Sequence, residues 1–178
     1  MRDPNDTILL LSLRCNNNCR MCAIGDESIK DISTSDAKKL ILDFKKRGLD
    51  TVCFTGGECT LRKDLEELVG YAKAQDLKAY IDSNGRNYSS SNFSEKLLKA
   101  GATDLSITFL GVGKVHNYMA RRPHAYAEVI KGVQNLVLLK KKYSFELNFN
   151  ILVHKNNYQS LQKFLPLILK YNPDTIHI

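Results

Sequence analysis

Short apolar runs alternate along the chain with longer segments in which apolar residues recur every three or four positions. The short runs are rich in β-branched and other bulky apolar residues, as the buried strands of a parallel sheet are. They predict six strands: Thr7–Leu13, Thr51–Thr55, Lys78–Asp82, Asp104–Thr108, Ser144–Val153 and Asp174–Ile178.

The longer segments have the apolar spacing of amphipathic helices. The first predicted helix follows a capping region at Ser33 and Ser35 and ends before Gly48, a residue type common at helix ends. The apolar faces of the five predicted helices are marked by Ala37, Leu40, Ile41 and Phe44; by Leu65, Leu68, Val69 and Ala72; by Leu97 and Leu98; by Val129, Ile130, Val133, Leu136 and Val137; and by Leu161, Phe164, Leu165 and Ile168.

A helix end, a glycine and a strand recur as one unit, as in FKKRGLDTVCFTGG and LKAGATDLSITFLG. Strict alternation of strand and helix predicts right-handed βαβ units and a parallel sheet. We therefore expect an α/β fold, a partial (β/α)6 barrel, with a flat doubly wound sheet as the alternative. The last predicted strand leaves a bare sheet edge. We accordingly expect residues 1–178 to be one domain, truncated after its sixth strand and lacking a C-terminal extension.

The composition is that of a soluble globular protein, with 43% hydrophobic and 25% charged residues. The apolar run Ile8 to Leu11 is too short for a membrane span or a signal peptide, so we expect a cytoplasmic protein without a membrane partner. The net charge of +7 invites a nucleic-acid partner. Lysines on solvated helix faces and at helix ends account for most of this charge, so that partner is not favoured.

Three of the five cysteines, Cys15, Cys19 and Cys22, lie in the loop after the first predicted strand. An odd number of cysteines without an export signal indicates reduced thiols, and thiolates bind iron–sulfur clusters and structural zinc. A closed four-ligand site needs a fourth ligand, and the first histidine is His116, which we expect with His124 in a loop after the fourth strand. A 4Fe–4S cluster on three cysteines leaves one iron open. A zinc site completed by Cys53 or Cys59, or three unrelated thiols, are the alternatives.

The spacing CxxxCxxC directly after a first strand resembles the signature of the radical S-adenosylmethionine (SAM) superfamily. The order of the later segments is similar to that family across nearly the whole chain. GGECTLRKDLEELV resembles its GGE stretch, Ser83-Asn84-Gly85 its TNG turn, and LKAGATDLSIT its passage into the fourth strand. HNYMARRPHAYAEVIKGVQNL resembles the passage that follows in peptide- and cofactor-modifying members, and NFNILVHKNN resembles the fifth strand.

The resemblance implies a 4Fe–4S cluster on the three cysteines, with SAM at its open iron. It also implies oxidoreductase chemistry, in which SAM is cleaved reductively to a 5′-deoxyadenosyl radical that abstracts a hydrogen atom from a substrate. The residues expected to bind SAM are Met21, through its backbone, and Gly56, Gly57, Glu58, Ser83, Asn84, Ser106, Arg122 and Asn150. No residue is assigned a catalytic role on the substrate.

The residues themselves support one site, because the carboxyl ends of parallel strands share one rim. The cysteine loop follows the first strand, Gly56–Glu58 ends the second and Ser83–Gly85 ends the third. Other interpretations stay open for single residues: Ser83–Gly85 as an ordinary turn, Ser106 as a buried hydroxyl, Arg122 as a surface side chain and Asn150 as a structural amide.

Two residues depart from the family pattern. Met21 stands where an aromatic residue is usual, and Cys59 stands where proline is usual. Because a backbone contact needs no side chain, Met21 leaves the assignment intact, and we expect Cys59 not to bind the cluster.

The expected partners are a reductant protein such as ferredoxin or flavodoxin and a substrate that is a peptide or a small cofactor precursor. Two alternatives remain for the function: an RNA-modifying radical SAM enzyme, and a non-enzymatic iron–sulfur or zinc-binding module. Glu58 in the GGE motif disfavours the module, since an electron carrier needs no carboxylate for an ammonium group.

Overall fold

Six parallel strands form one sheet in the order in which they occur along the chain, β1-β2-β3-β4-β5-β6. The computed structural model describes residues 6–24 and 30–178. The strands are β1 (Asp6–Ser12), β2 (Thr51–Gly56), β3 (Lys78–Ser83), β4 (Ala102–Phe109), β5 (Glu146–Ile151) and β6 (Thr175–His177). Sequential parallel order is that of an unclosed partial barrel, whereas a doubly wound sheet reverses its strand order. The predicted fold class is confirmed.

Helices connect the strands. They are α1 (Thr34–Lys46), α2 (Leu65–Ala74), α3 (Ser91–Ala100), α4 (Lys114–Ala120), α5 (Ala125–Leu139) and α6 (Leu161–Leu169). Ser33 caps α1 as predicted, because its hydroxyl oxygen accepts a hydrogen bond from the backbone N–H of Asp36 at 3.1 Å. In the described part of the chain, none of the helices is long and apolar enough to cross a bilayer.

The prediction of a loop after the fourth strand is wrong for residues 114–120, which form α4. The helix is short, and its buried face consists of His116, Met119 and Ala120, which give no clear apolar period. His116 is therefore a buried helix residue and not a loop residue. Burial lowers the pKa of its imidazole to about 4, so the ring is neutral at pH 7.

The two faces of the sheet differ in polarity. In β4 the residues Leu105, Ile107 and Phe109 are completely buried in the core that lies between the sheet and the helices. The Phe109 ring packs edge-on against Phe149 of β5, with ring centroids 5.1 Å apart. The alternate positions carry polar side chains, such as Ser106. The inner face of the partial barrel is thus polar at the level of the candidate site.

Arg62 joins three segments beneath the carboxyl end of β1. Its guanidinium donates hydrogen bonds to the backbone oxygens of Leu11, at 3.0 Å, and Ile32, at 2.7 Å, and it forms an ion pair with Asp64. Thr34 donates a further hydrogen bond to the Asp64 carboxylate. The hydrogen bonds from Arg62, and then the one from Thr34, lower the pKa of Asp64 from 3.8 to about 2.

We predict that Asp64→Asn lowers the free energy of unfolding by about 2–3 kcal/mol at pH 7, because a depressed pKa in the folded state stabilises that state. The contribution is present above pH 3.8 and is lost as the pH falls through about 2. Chemical denaturation of both proteins between pH 7 and pH 2 measures it. Asp43→Asn, at the exposed Arg47–Asp43 pair of α1, is the control and should change little. A difference that stays constant down to pH 2 would contradict the prediction.

Candidate functional site

The three cysteines of the loop after β1 lie on the wall of one cavity of about 410 Å³ at the carboxyl ends of the strands. Cys15 and Cys19 are half-buried and Cys22 is exposed. Residues at strand ends, further residues of the cysteine loop and one residue after α4 complete the wall: Leu13, Asn17, Asn18, Ile24, Thr55, Gly56, Gly57, Asp82, Ser83, Asn84, Thr108 and Arg122. The structure thus brings the predicted thiols together with five of the nine residues predicted to bind SAM.

The thiols influence one another. Burial, and then the charges of Cys15 and Cys22, raise the pKa of the Cys19 thiol to about 11, and burial raises the pKa of Cys15 as well. Iron binding requires thiolates, so a cluster must displace these protons. Within residues 6–24 and 30–178, no three His, Cys, Asp or Glu side chains come close enough together to hold a single metal ion. Three thiols on one cavity wall are a donor set that fits an iron–sulfur cluster.

Backbone hydrogen bonds fix the cysteine loop to the end of α4. The N–H of Asn18 donates to the oxygen of Ala120 at 3.0 Å, and the N–H of Arg20 donates to that of Met119 at 2.9 Å. The pairing lies between Cys15 and Cys22 and holds the middle of the loop. These hydrogen bonds attach a loop without regular secondary structure to a segment about 100 residues away in the chain.

Two arginines hold the start of the same loop. Arg86, which follows β3, donates to the backbone oxygen of Asn16 and, at 3.1 Å, to the side-chain oxygen of Asn17, and it is paired with Glu128 of α5. The Nε of Arg122 donates to the same Asn16 oxygen at 2.7 Å. Arg122 borders the cavity, as predicted for a SAM ligand, and it also binds the cysteine loop.

Gly56 and Gly57 lie against the backbone of the cysteine loop. A Cβ atom at Gly57 would stand 2.3 Å from the oxygen of Leu13, and one at Gly56 would stand 2.2 Å from the oxygen of Ser12. The N–H of Gly57 donates to the Ser12 oxygen at 2.7 Å. Both glycines also border the cavity. Their lack of a side chain therefore lets the two chain segments pack closely and leaves room for a ligand.

Glu58 is almost completely buried, with 1% of its surface exposed, and lies behind the cavity wall. Its Oε1 accepts hydrogen bonds from Thr60 and, at 2.8 Å, from the hydroxyl of Ser83, and its Oε2 accepts from the N–H of Asn84 at 2.7 Å. Burial raises the pKa of its carboxyl and these hydrogen bonds lower it, with burial the larger effect. Ser83 and Asn84 border the cavity, while Glu58 is not among the described residues that do so.

Ser106 and Asn150 form a polar network on the inner face of the sheet. The amide nitrogen of Asn150 donates to the Ser106 hydroxyl at 2.8 Å and to the Asp82 carboxylate at 3.2 Å. Asp82 borders the cavity together with Thr108, whereas Ser106 is fully buried. Ser106 and Asn150 therefore lie one layer behind the wall.

Cys53, Cys59 and Met21 are not among the described residues that border the cavity. Cys53 and Cys59 are buried, and the Cys59 thiol donates to the backbone oxygens of Phe54, at 3.4 Å, and Asp82, at 3.5 Å. Met21 is 38% exposed and adjoins Cys22 in the loop. That Cys59 does not bind the cluster stays a prediction. The buried position of Cys59 beneath the GGE turn agrees with this prediction.

Sequence reasoning missed Arg86, Asn17 and Asp82, whereas it placed Thr108 at the rim with Ser106. Asp82 carried a signal, because a carboxylate at an alternate position of a buried strand, just before a turn at the rim, faces the inner side of the barrel. Arg86 carried none, since its contacts reach residues about 70 positions away.

Comparison with known proteins agrees with this geometry. The model of the radical SAM superfamily matches residues 9–168. The chain is 25% identical over 161 residues to the Fe-coproporphyrin III synthase of Methanosarcina barkeri, covering 89% of this chain and 39% of that protein. It is 26% identical over 178 residues to the PqqA peptide cyclase of Bradyrhizobium diazoefficiens, covering 98% of this chain and 46% of that protein.

Streptococcus suis SuiB bound to S-adenosylmethionine has the same fold, with a TM-score of 0.80 at 17% identity over 97% of this chain and 40% of SuiB. SuiB has also been solved bound to the precursor peptide SuiA. The chain spans less than half the length of each of these three proteins. Because the family model covers most of the sequence, the chain belongs to the radical SAM superfamily.

Proposed function

We propose that this chain is the core of a radical SAM enzyme that holds a 4Fe–4S cluster on Cys15, Cys19 and Cys22. The observation that carries the proposal is the position of the three thiols, on the wall of one cavity at the carboxyl ends of parallel strands. Family membership supports it, because radical SAM enzymes use this cluster and SAM. When bound, the two cofactors supply a 5′-deoxyadenosyl radical that abstracts a hydrogen atom from the substrate.

The residues that we propose for SAM fall into two layers. Gly56, Gly57, Ser83, Asn84 and Arg122 border the cavity and are proposed to contact SAM. The second layer, behind the cavity wall, is Glu58, Ser106 and Asn150. Met21 is proposed to contact SAM through its backbone. Of the second layer, Glu58 fixes the turn at Ser83 and Asn84 through two hydrogen bonds. Its Oε2 accepts from the Asn84 N–H alone among the described residues, and a carboxylate oxygen has capacity for a second donor such as an ammonium group.

The protein also has to keep the cysteine loop in place while substrate and products exchange. Arg86 and Arg122, from two different segments, bind one backbone oxygen of the loop, and the end of α4 binds its middle. Hydrogen bonds from charged donors are stronger than those between neutral groups, so Asn16 is a firm anchor next to Cys15.

We propose a peptide or a small cofactor precursor as the substrate. The names of the relatives support this class: one is a peptide cyclase, one a coproporphyrin synthase, and SuiB binds a precursor peptide. An RNA substrate is supported only by the net charge of +7. The electron is proposed to come from a reductant protein such as ferredoxin or flavodoxin, in the cytoplasm, where thiols stay reduced.

The function is tested by cofactor turnover. Protein reconstituted anaerobically with iron and sulfide, then given SAM and a strong one-electron reductant, should release 5′-deoxyadenosine and methionine, which chromatography measures. Protein that carries an intact cluster and yet leaves SAM uncleaved would contradict the proposal and favour a non-enzymatic module.

The cluster ligands are tested by single substitutions. Cys15→Ala, Cys19→Ala and Cys22→Ala should each abolish the cluster, because each removes one of its three thiolates. Iron and sulfide analysis should find about four of each per chain in the parent protein. Cys53→Ala and Cys59→Ala are matched controls, since both thiols are buried away from the cavity wall, and both should keep the iron. Iron loss in Cys59→Ala would instead indicate a closed metal site.

Glu58→Gln should weaken SAM binding by about 1.5–3 kcal/mol, the range for hydrogen bonds to a charged group, and leave the cluster intact. The amide cannot accept from Thr60, Ser83 and Asn84 as the carboxylate does, so the turn at the cavity wall is displaced. Equilibrium binding of SAM to the reconstituted variant measures the change. Glu67→Gln on the exposed side of α2 is the control. Unchanged affinity in a folded Glu58→Gln protein would exclude Glu58 from the SAM site.

A further inference from the structure

Four exposed residues form what we name the basic stripe: Arg20, Lys114, Tyr118 and Arg121. Lys114, Tyr118 and Arg121 follow one another at the spacing i, i+4, i+7, which places them on one side of α4 and its end. Arg20 extends the stripe from the cysteine loop, because its guanidinium carbon lies 3.8 Å from the centroid of the Tyr118 ring. Its Nε also donates to the Tyr118 backbone oxygen at 3.0 Å.

Within the described residues, the positive charge of the stripe is not neutralised. The segments 14–24 and 114–124 together contain five lysines and arginines, and neither segment contains an acidic residue. No ion pair involves Arg20, Lys114 or Arg121 in the part of the chain that the structure describes. Two acids that bind the cysteine loop or its arginines pair with other cations, Asp31 with Arg14 and Glu128 with Arg86. Asp26 and Glu27 lie outside the described residues.

The basic stripe lies outside the cavity. None of its four residues is among the described residues of the cavity wall, although Arg122, the neighbour of Arg121, is. A substrate has to enter the cavity, so an anionic substrate would be met by Arg122 and not by the stripe. A molecule that binds the stripe therefore need not enter the cavity.

The stripe is also tied directly to the cluster ligands. Arg20 follows Cys19 in the chain, and its N–H is bonded to the oxygen of Met119, next to Tyr118. A protein bound on the stripe is thus in contact with the chain segment that carries the thiols. The one reactant that has to come close to the cluster without entering the cavity is the source of its electron.

We propose that the basic stripe is the docking surface for an acidic, low-potential one-electron carrier protein. The inference rests on the proposed function. One electron leaves the carrier, which is oxidised, and enters the cluster, which is reduced, with no bond made or broken and no proton moved. Arginine and tyrosine are the residue types that most often anchor protein interfaces, and complementary charge accelerates association.

The test is the double variant Lys114→Glu/Arg121→Asp in the reconstituted protein. Among the described residues, neither side chain forms a hydrogen bond or ion pair and neither borders the cavity. Aspartate tolerates the left-handed backbone of Arg121, whose φ is 53°. A stopped-flow spectrometer measures the rate at which reduced flavodoxin reduces the cluster. At low ionic strength this rate should be at least about tenfold lower in the double variant than in the parent protein, and it should depend less on salt. The control Lys46→Glu/Lys96→Glu makes the same change of charge at exposed positions of α1 and α3 and should keep the parent rate.

A second reductant separates this inference from the proposed function. Photoreduced deazariboflavin is small and uncharged, so it should drive 5′-deoxyadenosine release equally in the parent and both double variants. Absence of product in the parent would defeat the proposed function. If all three proteins release 5′-deoxyadenosine and flavodoxin reduces their clusters at equal rates, the docking surface is wrong and the proposed function stands. Loss of RNA binding in a gel-shift assay, with the flavodoxin rate unchanged, would also overturn it and assign the stripe to nucleic acid.

Discussion

Two strand ends meet more closely at the rim of this barrel than side chains would permit. Gly56 ends β2 and Gly57 follows it, and the backbone of residues 12–14 occupies the space that a Cβ atom on either would need. The N–H groups of Gly57 and Glu58 then bond to Ser12 and Arg14 at 2.7 and 2.8 Å. The start of the cysteine loop is held there, and the chain beyond Gly57 is turned so that Glu58 enters the interior.

From that contact the site extends inward as a connected polar layer. Glu58 reaches β3 through Ser83 and Asn84, while Asn150 joins β3 to β4 through Asp82 and Ser106. Buried polar groups are stable only when they are paired, so each of these side chains constrains its neighbours. The cavity wall is therefore shaped by residues that lie behind it as much as by those that border it.

Periodicity predicted the sheet, and the spacing of the cysteines together with the family resemblance predicted one site for the three thiols, because these signals lie in neighbouring positions of the sequence. The α4 helix was missed because its buried face includes His116, so that the apolar period is broken. Arg86 could not have been found, since its contacts with Asn16 and Glu128 exist only after β3 and α5 have packed. Long-range polar contacts of this kind leave no local pattern to detect.

The hydrogen bonds from Asn18 and Arg20 to Ala120 and Met119 link two regions thermodynamically. A loop without regular structure has little order of its own, and α4 is only seven residues long. Anything that binds the folded loop preferentially also favours the folded helix end by mass action. A cluster bound on the loop as proposed would therefore also stabilise the end of α4, and slower amide exchange at both segments is the expected sign of that coupling.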